Sequence, residues 1–265
     1  MSTPLEDLFE RTRSENRAAL IGFIPAGFPS HEGGVEIIRA MIDGGVDAIE
    51  VGFPYSDPVM DGPIIQAASE QSLAHGTTAH DVMATVAAVS PYAPTVIMTY
   101  WNPIERYGVD AFVSDLNRGG GSGVITPDLT VEESAPWMAA TLHHDRNRIF
   151  VVAPSTSDER LEKVVSATSG FIYAASLMGV TGTRTSVSSG AQELVTRLRR
   201  ITEKPIAVGL GVSTPEQAHE VAQYADGVIV GSAFIRAIQD APSQQAAIAA
   251  VAELARNLAA AMSRG

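Results

Sequence analysis

Two carboxylates in one short block set the chemical question. The segment DAIEVGFPYSDPVMDGP carries Glu50 inside an apolar run and Asp61 in a Gly-Pro turn soon after. An ionised carboxylate in an apolar strand is costly unless it is paired or solvated. Burial raises its pKa, which suits a general acid or base working near neutral pH. The competing reading is a glutamate paired with an arginine in a polar core layer. Asp61 alone is equally plain turn chemistry, because Asp-Gly-Pro favours a turn. Asp57, in the turn Ser56-Asp57-Pro58, admits three roles: catalyst, metal ligand or loop cap. Its spacing favours the cap.

A second set of residues suits an anion. Glycine turns occur at GVTG (179–182), GLGVST (209–214) and VGSAF (230–234). Such turns aim backbone N–H groups outward, and Ser232 opens a helical stretch whose N-terminus can hold a phosphate. The bland alternative is ordinary loop glycine. The net charge of −12 argues against non-specific nucleic-acid binding, which needs a basic surface. It leaves a small phosphorylated substrate open, since a local cluster of N–H groups holds an anion within a negative protein.

The elements that must position these groups are legible as an alternation. Eight short β-rich runs lie at residues 19–25, 47–52, 95–100, 122–126, 148–153, 170–176, 205–210 and 226–231. Amphipathic stretches such as VEIIRAMIDGG, DAFVSDLNRGG and AQELVTRLRRI separate them, with apolar residues at three- and four-residue steps. Eight strands alternating with helices at ~25-residue spacing predict an α/β fold, a (β/α)8 TIM barrel. The long gap after the second strand has room for an extra helix, IIQAASEQSLAHG. At the start, Thr3 as N-cap, Pro4 as first helical residue and Glu6 as capping-box partner predict an extra N-terminal helix. No Pro/Gly/Ser linker divides the chain, so one domain over residues 1–265 is expected. The N-terminal stretch has no apolar signal core, and no segment is apolar for the roughly 18 residues of a membrane span. A soluble, cytoplasmic protein is the expectation.

In such a barrel the chemistry sits at the C-terminal ends of the strands. Glu50 lies near that end of strand 2, and Asp61 lies in the loop that follows. The glycine turns follow strands 6, 7 and 8. Other tools are scarce. A Schiff-base aldolase needs a lysine at the mouth. The only two are Lys163, in a helix, and Lys204, before strand 7 at the wrong end. A metal aldolase needs a histidine cluster, and only His31 of the six histidines falls in a mouth loop. His143 and His144, at the end of the helix before strand 5, read as a solvated surface pair rather than a ligand set. There is no cysteine and no G-x-S-x-G nucleophile motif. No metal site is expected.

The blocks IEVGFPYSDPVMDGPIIQAA, VEESAP, GFIYAASLMGVTG, VGLGVS and IVGSA stand in the order found in a known family. From about residue 8 to residue 236 the chain resembles the α subunit of tryptophan synthase, and PYSDPVMDGP is the most specific block. The resemblance implies cleavage of indole-3-glycerol phosphate to indole and glyceraldehyde 3-phosphate. It implies Glu50 as the proton shuttle and Asp61 as the acceptor of the indole N–H. Tyr173 matches a tyrosine near the glycerol moiety, and Thr181 matches a lid threonine. Gly182, Gly211, Gly231 and Ser232 match the phosphate binders. Phe23, Met98 and Tyr100 are candidates for the indole pocket wall, although such residues are more often plain core.

The resemblance also implies a PLP-dependent β subunit as partner, in an α2β2 heterotetramer. Pro54, Ser56, Asp57 and Pro58, with the Asn102-Pro103 turn, match the docking side, which would make Asp57 an interface residue. This chain carries no PLP-lysine signature, so PLP is expected only on the partner. Departures from the family pattern are Leu177 before G-V-T-G, Thr130 after the strand-4 Asp-Leu pair, GGGSG ahead of strand 4 and AGFPS after strand 1. The other readings are a stand-alone lyase acting without β, a non-catalytic activator of β, and a phosphosugar isomerase on the same barrel.

Overall fold

The computed structural model describes residues 3–175, 187–209 and 211–264. Eight parallel strands close into a barrel in sequence order. They are β1 (Ala19–Pro25), β2 (Ala48–Gly52), β3 (Thr95–Met98), β4 (Gly123–Thr126), β5 (Asn147–Val152), β6 (Ile172–Ala175), β7 (Ile206–Gly209) and β8 (Gly227–Val230). The helices preceding β3 are α1 (Pro4–Ser14), α2 (His31–Asp43), α3 (Pro63–Ala74) and α4 (Ala79–Val89). Those between β3 and β7 are α5 (Trp101–Tyr107), α6 (Val109–Arg118), α7 (Ala135–His143), α8 (Asp158–Ala167) and α9 (Val187–Arg199). The rest are α10 (Pro215–Ala222), α11 (Ser232–Gln239) and α12 (Gln244–Ala260). No helix among the described residues is long and apolar enough to cross a membrane.

The first strand begins and ends where the alternation places it, and both extra helices, α1 and α3, form. The other strands fall a residue or more short at one or both ends. The largest difference follows β3. That strand stops at Met98, and Tyr100 is the N-cap of α5, so Asn102 and Pro103 lie in a helix rather than a turn. Proline is tolerated in a first helical turn because its missing N–H would have no intrahelical partner there. The Asp128 carboxylate reaches over from the loop after β4 to accept from Trp101 N at 2.9 and 3.1 Å. It supplies the cap that local sequence lacks.

Side chains alternate along each strand, so every second residue enters the barrel. Ala19 and Ile21 of β1, Ala48 of β2, Val96 of β3 and Ile125 of β4 belong to one apolar cluster with Ile149, Phe171, Ala207 and Ile229. Helix α1 closes the N-terminal end of this cluster with Leu5, Leu8 and Phe9. The capping box starts that helix as expected. Thr3 Oγ accepts from Glu6 N, and the Glu6 carboxylate accepts from Thr3 N at 2.8 Å. The Phe9 ring lies 5.6 Å from that of Phe171. Phe9→Ala should therefore cost about 3–5 kcal/mol, the usual price of a large cavity in a core. Urea denaturation would measure it.

Two aspartates tie the same end together. Asp47, just before β2, accepts from Leu20 N and from Arg17. Asp226, just before β8, accepts from Ile206 N and pairs with Arg199. Lys204 also works at this end, donating to the carbonyls of Val165 and Thr168 at 2.7 and 2.6 Å. Structural work at the N-terminal ends of the strands leaves the C-terminal ends free for a site.

Candidate active site

Continuing the inward alternation by one step brings Phe23 of β1 beside Glu50 of β2 in register. Glu50, Asp61, Phe23, Met98, Tyr173, Gly211, Gly231 and Ser232 all line one cavity of about 950 Å³. Residues that the sequence did not mark as pocket wall complete it. They include Val59, Met60, Ile64 and Ile65 on the loop and helix after β2, and Ala153, Pro154 and Ser155 after β5. Thr181 and Gly182, and the departure Leu177, lie outside the described residues.

Glu50 is 2% exposed, and its Oε2 has no hydrogen-bond partner among the described residues. None of the ion pairs formed by described residues includes it, so no arginine among the described residues pairs with Glu50. Burial, with the negative charge of Asp61 as a second cause, pushes its carboxyl up to about 8. The side chain therefore holds its proton at neutral pH and can give or take one there. Asp61 is also raised by burial, and the hydrogen bond from Tyr100 pulls it back. Tyr173 is held neutral: burial, then the charges of Glu50 and Asp61, raise its phenol far above the ordinary range. Two carboxyls with different environments and one neutral phenol thus face a common space.

Tyr100 does something other than wall the cavity. Its hydroxyl accepts from Val59 N at 3.2 Å and Met60 N at 3.0 Å, and donates to Asp61 Oδ1 at 3.3 Å. One oxygen gathers the tip of the loop and the carboxylate that follows. Tyr100→Phe should lower kcat/KM about tenfold, the worth of a lost hydrogen bond plus two orphaned N–H groups. It removes the contact that lowers the Asp61 pKa, so the acid limb of the pH–rate profile should move to higher pH.

The far wall suits an anion. Gly231 caps the N-terminus of α11, and Ser232 is the first residue of that helix. Gly211, after β7, has φ of +67°, a backbone conformation that disfavours a side chain. Gly231 has a packing reason as well. A Cβ there would come within 3.1 to 3.4 Å of Phe23, and one at Gly52 would come within 2.6 Å of the same ring. Phe23 is clamped between the two neighbouring strands.

The loop between β2 and α3 divides in character. Pro54 is buried and shapes the loop. Ser56 and Asp57 are exposed, and Ser56 donates to Asp57 at 2.5 Å. Pro58 is half-buried. Asn102 donates to Tyr55 at 3.0 Å, linking the start of α5 to the same loop. Val59 and Met60, 76% and 40% exposed, give the loop an apolar tip.

This geometry can be set beside known proteins. The family profile described as tryptophan synthase alpha chain matches residues 9–263. The chain belongs to the tryptophan synthase alpha chain family. The tryptophan synthase alpha chain of Thermobifida fusca is 53% identical over 262 residues, covering 97% of each chain. That of Streptomyces coelicolor is 52% identical over 257 residues, covering 96% of this chain and 95% of the relative. Among solved structures, Mycobacterium tuberculosis tryptophan synthase superposes with a TM-score of 0.92 at 47% identity, covering both chains fully. The alpha chain of Legionella pneumophila gives 0.89 at 30% identity, covering 99% of this chain and 98% of that one. The tryptophan synthase alpha chain is a carbon–carbon lyase. It cleaves indole-3-glycerol phosphate to indole and glyceraldehyde 3-phosphate in tryptophan biosynthesis.

Proposed function

We propose that this chain performs that cleavage as a single (β/α)8 domain, with Glu50 as the proton shuttle and Asp61 as the electrostatic partner of the indole ring. The observation that carries the reading is that buried Glu50, whose carboxyl pKa is raised by burial, shares with Asp61 one cavity that the N-terminus of α11 also lines.

The chemistry follows from these groups. Glu50 gives its proton to C3 of the indole. The ring becomes an indoleninium cation, with its charge centred on the nitrogen. Asp61 accepts the indole N–H and stabilises that charge through a short-range field. Glu50, now a carboxylate, takes the proton of the adjacent glycerol hydroxyl. The oxygen lone pair closes to a carbonyl, the carbon–carbon bond breaks, and its electron pair restores the aromatic ring. Indole and an aldehyde leave, and Glu50 is protonated again. The ring is its own electron sink, so no lysine is required. The N–H groups around Gly211, Gly231 and Ser232 hold the phosphate and so fix where C3 sits relative to Glu50. Phe23 and Met98 offer apolar faces to the indole. Tyr173 stays a neutral hydrogen-bond donor near the glycerol. Thr181 and Gly182 are read, from the family resemblance alone, as lid and phosphate residues.

The partner in this reading is a tryptophan synthase β subunit, in an α2β2 assembly in the cytoplasm. The exposed tip formed by Ser56, Asp57, Val59 and Met60, together with Asn102, is the docking candidate. PLP belongs to the β subunit, and the α chain works without a cofactor of its own. The test is indole release from indole-3-glycerol phosphate by the purified chain, alone and with a β subunit. Slow release that rises strongly with β is the expected result. Fast release without β would make it a stand-alone lyase, and no release in either case would overturn the lyase reading.

A further inference from the structure

Outside the cavity, two imidazoles and a carboxylate meet at the surface. His143 is the last residue of α7, His144 is its C-cap, and Asp110 lies in the first turn of α6. The ligand atoms of all three lie within 4.8 Å of one another. His144 Nε2 is 3.1 Å from Asp110 Oδ1, and His143 Nδ1 is 3.7 Å from the same oxygen. We infer that Asp110, His143 and His144 form a surface site for one divalent transition-metal ion, with zinc the best match, that clips the start of α6 to the end of α7.

Three observations carry this. A hydrogen bond explains only one of the two contacts, because 3.7 Å is too long for one. A tetrahedral ion with bonds of about 2.0–2.2 Å needs its ligand atoms roughly 3.3–3.6 Å apart, and the two observed separations bracket that spacing. Two imidazole nitrogens with one carboxylate oxygen are the donor types that zinc and its neighbours take, while magnesium and calcium prefer oxygen alone. The surroundings help. The last carbonyls of α7 favour a cation beside its end, and the protein as a whole is strongly negative. His144 is only 15% exposed in its side chain, so one ligand is already held by packing. The sequence shows the adjacent histidines but not the carboxylate that faces them from another helix. None of the three residues lines the catalytic cavity.

The test uses the full chain without an affinity tag, freed of metal by a chelator and titrated with zinc by calorimetry. One zinc per chain at micromolar affinity is expected. The affinity should fall at least about tenfold in His144→Gln and in Asp110→Asn, as losses at metal sites do, and stay unchanged in His75→Gln, which removes an exposed imidazole elsewhere. Cobalt added to the unaltered chain gives a readout that depends on no variant. Visible bands of a tetrahedral, nitrogen-bound ion support the site, whereas the spectrum of the hydrated ion overturns it. Absence of saturable zinc binding, or equal binding by all three variants, also overturns it and leaves a histidine–carboxylate pair only.

Discussion

Glu50→Gln lowers kcat for indole release by roughly 10²–10⁴-fold, the range a general acid–base group supplies, with KM little changed. The amide keeps the shape and loses the exchangeable proton. Phosphate and ring contacts stay in place, so the loss belongs to the transition state. The same variant has a second readout of opposite sign. In the folded chain burial, with the charge of Asp61 second, pushes the Glu50 carboxyl up to about 8, well above its ordinary value. Between about pH 4.5 and 8 the native state therefore holds a proton that the unfolded state has released, and stability falls as pH rises through that window. It levels off above the folded pKa. Glutamine has no charge to bury. The variant should match the parent in urea denaturation near pH 5 and exceed it near pH 8.5. A pKa difference of one is worth about 1.4 kcal/mol, so the gain is on the order of a few kcal/mol. A variant that is less active yet more stable in alkali marks a residue retained for chemistry against its folding cost. Equal stability at both pH values would mean that Glu50 is solvated.

Asp61→Asn is the second large effect, a fall in kcat of about 10²–10³-fold. Asparagine keeps an oxygen that can accept the indole N–H and removes the charge, so it isolates the electrostatic part. The charge of Asp61 is also the second cause of the raised Glu50 pKa. Removing it should lower that pKa, and the alkaline limb of the residual activity should move to lower pH. A fall in rate with an unmoved alkaline limb would show that the two carboxyls do not share a field.

The barrel was legible because its pattern is repetitive. Each strand is short, β-branched and bounded by turn residues, and each is followed by a helix period. Strand ends were less legible because the hydrogen-bond ladder stops where a neighbouring strand stops, which is a property of two segments. Helix α5 was hidden for a related reason: its cap is Asp128, remote in sequence. Glu50 was legible as an anomaly, a charge among apolar neighbours. Asp61 was not separable from ordinary turn chemistry until the family pattern was considered. Tyr100 was marked as a pocket residue, but its hydroxyl faces the loop, and no periodicity reports where a hydroxyl points. Ile64, Ile65 and Ser155 carry no local signal as cavity residues, and only closure of the barrel makes them walls of the cavity.

The hydroxyl of Tyr100 ties Val59, Met60 and Asp61 into one knot. The exposed tip proposed to meet a partner and the carboxylate proposed to meet the substrate are therefore neighbours on a single tether. Under the proposed roles, a substitution that alters the tip is carried to the carboxylate, so partner recognition and turnover are expected to change together. An engineer exchanging this loop between relatives would have to move the tyrosine, the tip and the acid together, as one inherited unit.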